Sequence, residues 1–184
     1  MKSRLLILLA LAAAALAAAA VAVASTVTAT ATVTVTGAGS LALSNGATAT
    51  ISDTLDGTDQ AVNYTLPLTM TDARGTGTGW NLTITSTTFT TGTHTLATSA
   101  SSIASVASAC VAGGTCTNPS SSISYPLTVP AAATAPTAVK LFNAAANSGL
   151  GRFTITPSIN VTIPGNSYAG SYTSTLTIAA VSGP

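Results

Sequence analysis

Few side chains in this chain can do chemistry, and their spacing separates several kinds of site. The four acids are all aspartates (Asp53, Asp56, Asp59 and Asp72), set against Lys2, Arg4, Arg74, Lys140, Arg152 and a single histidine, His94. Asp53, Asp56 and Asp59 recur every third residue in Asp-Thr-Leu-Asp-Gly-Thr-Asp. Three carboxylates in one loop are weak candidates for Ca2+, because the EF-hand spacing and its bidentate Glu are missing. The alternative is a solvated turn in which each Asp accepts backbone hydrogen bonds. His94 with a Ser and an Asp would supply the residue types of a hydrolytic triad. A triad is defined by geometry, however, and Gly92-Thr93-His94-Thr95 reads as a hairpin tip. Without Glu, a carboxylate pair for glycan hydrolysis would need two aspartates, and those present cluster in one loop. Arg74-Gly75-Thr76-Gly77-Thr78-Gly79 precedes a strand and lacks the Lys-Ser/Thr end of a phosphate loop, so it reads as a flexible turn with Asp72 near Arg74. No catalytic residue, cofactor or metal site is expected, and an exported enzyme is the weakest reading.

Residues suited to recognition are more prominent. Trp80 is the only tryptophan, and Tyr64, Tyr125, Tyr168 and Tyr172 are the tyrosines. A flat aromatic ring matches the C–H face of a saccharide, and its polar tip can hydrogen-bond. Trp80 alternates with Leu82 and Ile84, which equally fits a core-facing strand. Cys110 and Cys116 enclose Val-Ala-Gly-Gly-Thr and read as a disulfide in an exported protein. Metal ligation by these two would need partners the chain hardly supplies.

The elements that must carry these residues are strands. Thr26 to Thr36 alternates Thr with Ala or Val throughout, the period of a strand with one buried face. Leu41–Leu43 and Ala47–Ile51 flank Asn45-Gly46, a hairpin-turn signal. Ala61–Thr71 places Val62, Tyr64, Leu66, Leu68 and Met70 on one face, with Pro67 arguing for an edge or a bulge. Trp80–Thr85 follows the glycine-rich turn. Thr93–Ser122 is rich in small residues and reads as irregular strands and loops. Ile123–Val129 is a further strand, and Ala138–Ala146 fits either a short strand over Val139–Phe142 or a helical turn or two. Arg152–Ile163 is a long strand interrupted by Pro157. Pro164-Gly165-Asn166 turns into a last strand region over Tyr168–Val181, with a bulge at Ala169-Gly170. Eight to eleven short strands with turn signals between them predict an all-β, antiparallel, Greek-key-like sandwich.

The amino terminus carries a targeting pattern. Met1-Lys2-Ser3-Arg4 is basic, Leu5–Val23 is apolar without a break, and Ala22-Val23-Ala24 is a small-residue cleavage site. This predicts a signal peptide over residues 1–24 and one domain over 25–184, with an uncleaved anchor as the competing reading. After cleavage no membrane contact is expected. Three bases against four acids then remain, and no basic cluster, so nucleic acid is excluded as a partner. Asn63-Tyr64-Thr65, Asn81-Leu82-Thr83 and Asn160-Val161-Thr162 match the glycosylation pattern but lie inside strands, as chance matches do in a Thr-rich chain.

Thr71-Asp72-Ala73-Arg74-Gly75-Thr76-Gly77-Thr78-Gly79-Trp80-Asn81-Leu82 resembles the first signature of the WxL domain: an acidic residue, a glycine-rich turn and then Trp-x-Leu. Val161 to Thr177, with its Pro-led turn and Ala-Gly-x-Tyr strand, is similar to the end of that domain. The resemblance runs from about Ser40 to Pro184. Where the family's second Trp-x-Leu falls, this chain has Ile178-Ala179-Ala180. The resemblance implies a secreted surface protein held non-covalently on the cell wall through peptidoglycan or another wall glycan, with other surface proteins as further partners. Under it, Trp80, Leu82, Tyr168 and Tyr172 are ligand-binding candidates, and Asp72, Arg74, Gly75, Gly77 and Gly79 form the motif turn. The rival reading is a structural subunit that assembles by β-strand addition through Thr26–Thr36.

Overall fold

The computed structural model describes residues 33–34, 39–44 and 49–184. The expected leader, the alternating strand over Thr26–Thr36 apart from Val33 and Thr34, and the Asn45-Gly46 turn lie outside the described residues. Ten strands and no helix are present among those described: β1 Leu41–Ser44, β2 Gln60–Thr65, β3 Leu68–Asp72, β4 Trp80–Thr87, β5 Ser101–Cys110, β6 Leu127–Thr128, β7 Ala131–Ala132, β8 Val139–Ala144, β9 Gly151–Ile163 and β10 Leu176–Ser182. They form two sheets. One runs β1-β3-β9-β5-β6, with β2 also on β9; the other runs β10-β4-β7, with β8 also on β4. Every pairing is antiparallel except β4 with β7. Only β5 and β6 are both consecutive and paired, so the chain interleaves the sheets as a β-sandwich does.

The core lies between the sheets and follows period-two alternation. Phe153, Ile155, Ile159 and Val161 of β9 point inward with Leu68 and Met70 of β3 and Ile103 of β5. Trp80, Leu82 and Ile84 of β4 face them from the other sheet, with Phe142 of β8. Leu141 is the extra residue where the β4–β8 register slips between Leu82 and Thr83, and this bulge leaves both Leu141 and Phe142 buried.

Pro157 does not interrupt β9, which is continuous over thirteen residues. A proline in a central strand lacks the N–H for one ladder hydrogen bond, and the partners on both sides are irregular near it. On one side the run expected over Ala61–Thr71 divides into β2 and β3 at Leu66-Pro67, and Leu66 N–H donates to the Pro157 carbonyl at 3.1 Å. On the other, β5 slips register between Ile103 and Ser105. The apolar face from Val62 to Met70 survives the division.

Other expectations are corrected. Ser101–Cys110 is a regular ten-residue strand rather than part of an irregular stretch. Ile123–Val129 shrinks to the two residues of β6, and Ala49–Ile51 is not a strand. Of the two readings of Ala138–Ala146 the strand holds, and it extends over Val139–Ala144. The last strand begins at Leu176, and Tyr168–Ser171 before it is a loop.

Candidate functional site

The motif turn has a structural job. Arg74 meets Asp72 side-on, Nε to Oδ1 at 2.9 Å and Nη2 to Oδ2 at 2.9 Å, and Nη2 also donates to the Gly79 carbonyl at 2.7 Å. Its Nη1 donates to the Ser182 hydroxyl, tying the turn to the end of β10. The Asp72 side chain is fully buried, and the Arg74 hydrogen bonds hold its carboxyl below the ordinary carboxylate range. The turn is therefore pinned, not flexible. Gly75, Gly77 and Gly79 all have positive φ. At Gly79 a Cβ would lie 2.4 Å from the Ala144 carbonyl oxygen, so no other residue fits there.

The turn delivers Trp80 into the core. Its ring is fully buried between Phe142 and Phe153, with centroids 5.9 and 6.4 Å away, and Nε1 donates to the Gly149 carbonyl at 2.8 Å. Leu82 is equally buried. Neither can touch a ligand, which corrects the binding role expected of Trp80 and Leu82 and leaves the core-facing reading. Ile178 lies directly across from Ile84, and Ala180 from Leu82, so the segment standing where the second Trp-x-Leu falls also faces the core.

The opposite end of β4 is different. Trp80 and Thr87 are about 23 Å apart along the strand at ~3.3 Å per residue. Beyond Thr87 the two sheets part around a cleft of about 1010 Å3. Its floor is apolar, with Leu66, Phe89, Leu96, Ile163 and Leu176, and its walls are Ala49–Leu55 and Ser167–Ser174. Tyr64 lines it, and burial pushes the Tyr64 phenol up from its ordinary value. A shallower hollow of about 340 Å3 opens beside it, rimmed by Thr93, His94, Thr95, Asn166, Ser167 and Tyr168. Leu96, Ser167, Tyr168 and Tyr172 line both spaces.

Two loops build this rim. Thr91–His94 is a tight turn closed by Thr91 N–H to the His94 carbonyl at 2.9 Å, as the hairpin-tip reading expects. Tyr172 Oη donates to the Tyr168 carbonyl at 3.0 Å and folds the second loop back on itself. Gly170 packs on Thr91, where a Cβ would come within 2.8 Å of the Thr91 hydroxyl. This contact brings His94 and Tyr168 together as a parallel stack, centroids 3.8 Å apart at 9°. Tyr168 is still 64% exposed, so its free face is open to solvent.

The family model described as WxL domain surface cell wall-binding matches residues 29–182. The chain belongs to the WxL domain family. It is a cell-surface protein of the wall-binding kind. No curated protein and no solved structure matches it. In this WxL domain the named tryptophan is a core residue, and of the four binding candidates only Tyr168 and Tyr172 reach an accessible site. Phe89 and the His94 stack were missed in the sequence, because nothing in the spacing relates position 94 to position 168.

The remaining candidates resolve locally. Asp53 accepts from Thr54 N–H, Asp56 from the Thr58 hydroxyl and N–H, and Asp59 from Gly165 N–H. The three carboxylates serve separate turns, and no group of three metal-ligating side chains forms among the described residues. These contacts are those of aspartates in turns. Cys110 and Cys116 are joined as a disulfide, with Cα atoms 6.0 Å apart. Tyr125 is half-buried, donates to the Leu141 carbonyl at 2.7 Å and has its phenol pushed up to about 12 by burial, so it is not a stacking platform. Asn81 is buried, and its amide donates to the Gly183 carbonyl at 2.7 Å, so no glycan can be attached there.

Proposed function

We propose that this protein is secreted and attaches non-covalently to peptidoglycan, holding a glycan strand at the rim built by Thr91–His94 and Tyr168–Tyr172. The observation that carries this reading is the His94–Tyr168 stack. Histidine supports one face of the phenol ring, and the other face is presented flat and exposed, as a sugar ring requires. Thr93, Thr95, Asn166 and Ser167 surround it with hydroxyl and amide groups for the sugar's hydroxyls. Among the described residues Asp53 is the only charged side chain along either space apart from the ionisable His94, so binding by stacking and neutral hydrogen bonds should hold at moderate salt. The test is co-sedimentation with purified sacculi. The protein should pellet, and Tyr168→Ala, folded by circular dichroism, should stay in the supernatant. Equal pelleting of the two would remove the rim from the account.

Assembly by strand addition keeps one observation in its favour. Among the described residues β10 pairs on one side only, with β4, and Leu176–Ser182 contains neither charge nor proline. If the edge joins copies, Ala179→Lys should turn an assembled species into a monomer in size-exclusion chromatography. A wild-type monomer at high concentration would discard this reading.

A further inference from the structure

Resting on the peptidoglycan reading, we infer that the apolar cleft beside the sugar rim receives the short peptide attached to the glycan, so that the ligand is a peptide-bearing sugar rather than a bare polysaccharide. The two spaces differ in chemistry. The hollow over His94 and Tyr168 is rimmed by hydroxyls and an amide. The cleft floor of Leu66, Phe89, Leu96, Ile163 and Leu176 offers nothing to a sugar hydroxyl. A hydroxyl buried there without a partner would cost binding, whereas a methyl group would gain it.

The walls favour a peptide over a lipid chain. Among the described residues Ala49–Leu55 has no strand partner, with only the Thr54 N–H and carbonyl engaged, by the side chains of Asp53 and Gln60, and in Tyr168–Ser171 the Tyr168 carbonyl accepts from Tyr172. These wall segments can supply donors and acceptors to peptide amides, which an acyl chain could not use. Among its described residues the lining also holds one charged side chain, Asp53, which is exposed at the mouth. A carboxylate there complements the free amino group of a diamino acid in a stem peptide. Finally, the cleft and the hollow share Leu96, Ser167, Tyr168 and Tyr172. A sugar stacked on Tyr168 therefore places a substituent directly over the cleft. A peptide joined to the sugar and carrying alanine methyls meets all four constraints.

Titration calorimetry with two soluble probes tests this: the peptidoglycan disaccharide bearing its stem peptide, and the same disaccharide without it. The peptide-bearing probe should bind about tenfold more tightly, the gain expected from burying two methyl groups. Leu55→Asn, a substitution in a half-buried wall residue outside any strand, should erase most of that advantage and leave affinity for the bare disaccharide unchanged. Asp53→Asn should reduce it for the probe with a free amine and not for the same probe acetylated at that amine. Equal affinity for the two disaccharides would overturn the cleft assignment while leaving glycan binding intact. Binding of neither would instead overturn the peptidoglycan reading on which the assignment rests.

Discussion

At the scale of single residues, the family's signature tryptophan and the exposed tyrosine divide the work. Trp80 is sealed between Phe142 and Phe153, and its N–H is satisfied by Gly149. Trp80→Ala should cost about 3–5 kcal/mol of stability, as aromatic truncations in packed cores do, measured by urea unfolding. The fraction that stays folded should bind sacculi as wild type does. The Asp72–Arg74 pair invites a second substitution. Arg74→Met would strand a buried carboxylate and should cost about 3 kcal/mol at neutral pH. Because Arg74 depresses the folded-state value of Asp72, the pair stabilises the fold above the unfolded value of about 4. That contribution is lost as pH falls through the lower folded value. The gap between wild type and Arg74→Met should therefore be widest near pH 7 and narrow in acid, read by thermal melting across pH. A gap that widens in acid would contradict the assignment. Asp72 near Arg74 could be read from the sequence because the two are only two positions apart in the chain. The His94–Tyr168 stack could not, since it depends on Gly170 reaching Thr91 across the fold.

At the scale of elements, what could be read follows from how strongly each strand shows its face. β4 and the Val62–Met70 face alternate large apolar residues with polar ones, and both were visible. β5 was hidden because Ser and Ala carry little β-preference, and only Ser101 and Ile103 at its start are buried. Its partner β9 holds it in place instead. Pro157 misled in the other direction: the central-strand proline is accommodated by a gap between β2 and β3 on one side and a bulge in β5 on the other, both far away in sequence. The disulfide closes the six-residue step from the end of β5 into the segment that follows it. Replacing Cys110 and Cys116 by Ser should cost about 2 kcal/mol, the value for so short a loop, with sacculus binding retained. Loss of binding in a folded double variant would place part of the site at that loop.

At the scale of the whole molecule, the sandwich holds two unlike ends. At one, the motif turn, Trp80 and the loop around Gly149 are locked by an ion pair and by glycines that leave no room for a side chain. At the other, the sheets part, and aromatic and hydroxyl groups surround open space. A fold this poor in charge has little electrostatic means of gripping a wall polymer, so shape and stacking must carry the affinity. The family signature marks the rigid end, whereas the proposed binding site lies at the open one. Hydrogen exchange with and without soluble peptidoglycan fragments distinguishes the two ends directly. The account predicts that ligand slows exchange in residues 91–96 and 166–173 and leaves residues 75–82 and 144–149 unchanged. Protection confined to residues 75–82 and 144–149 would contradict it and return the binding surface to the tryptophan end.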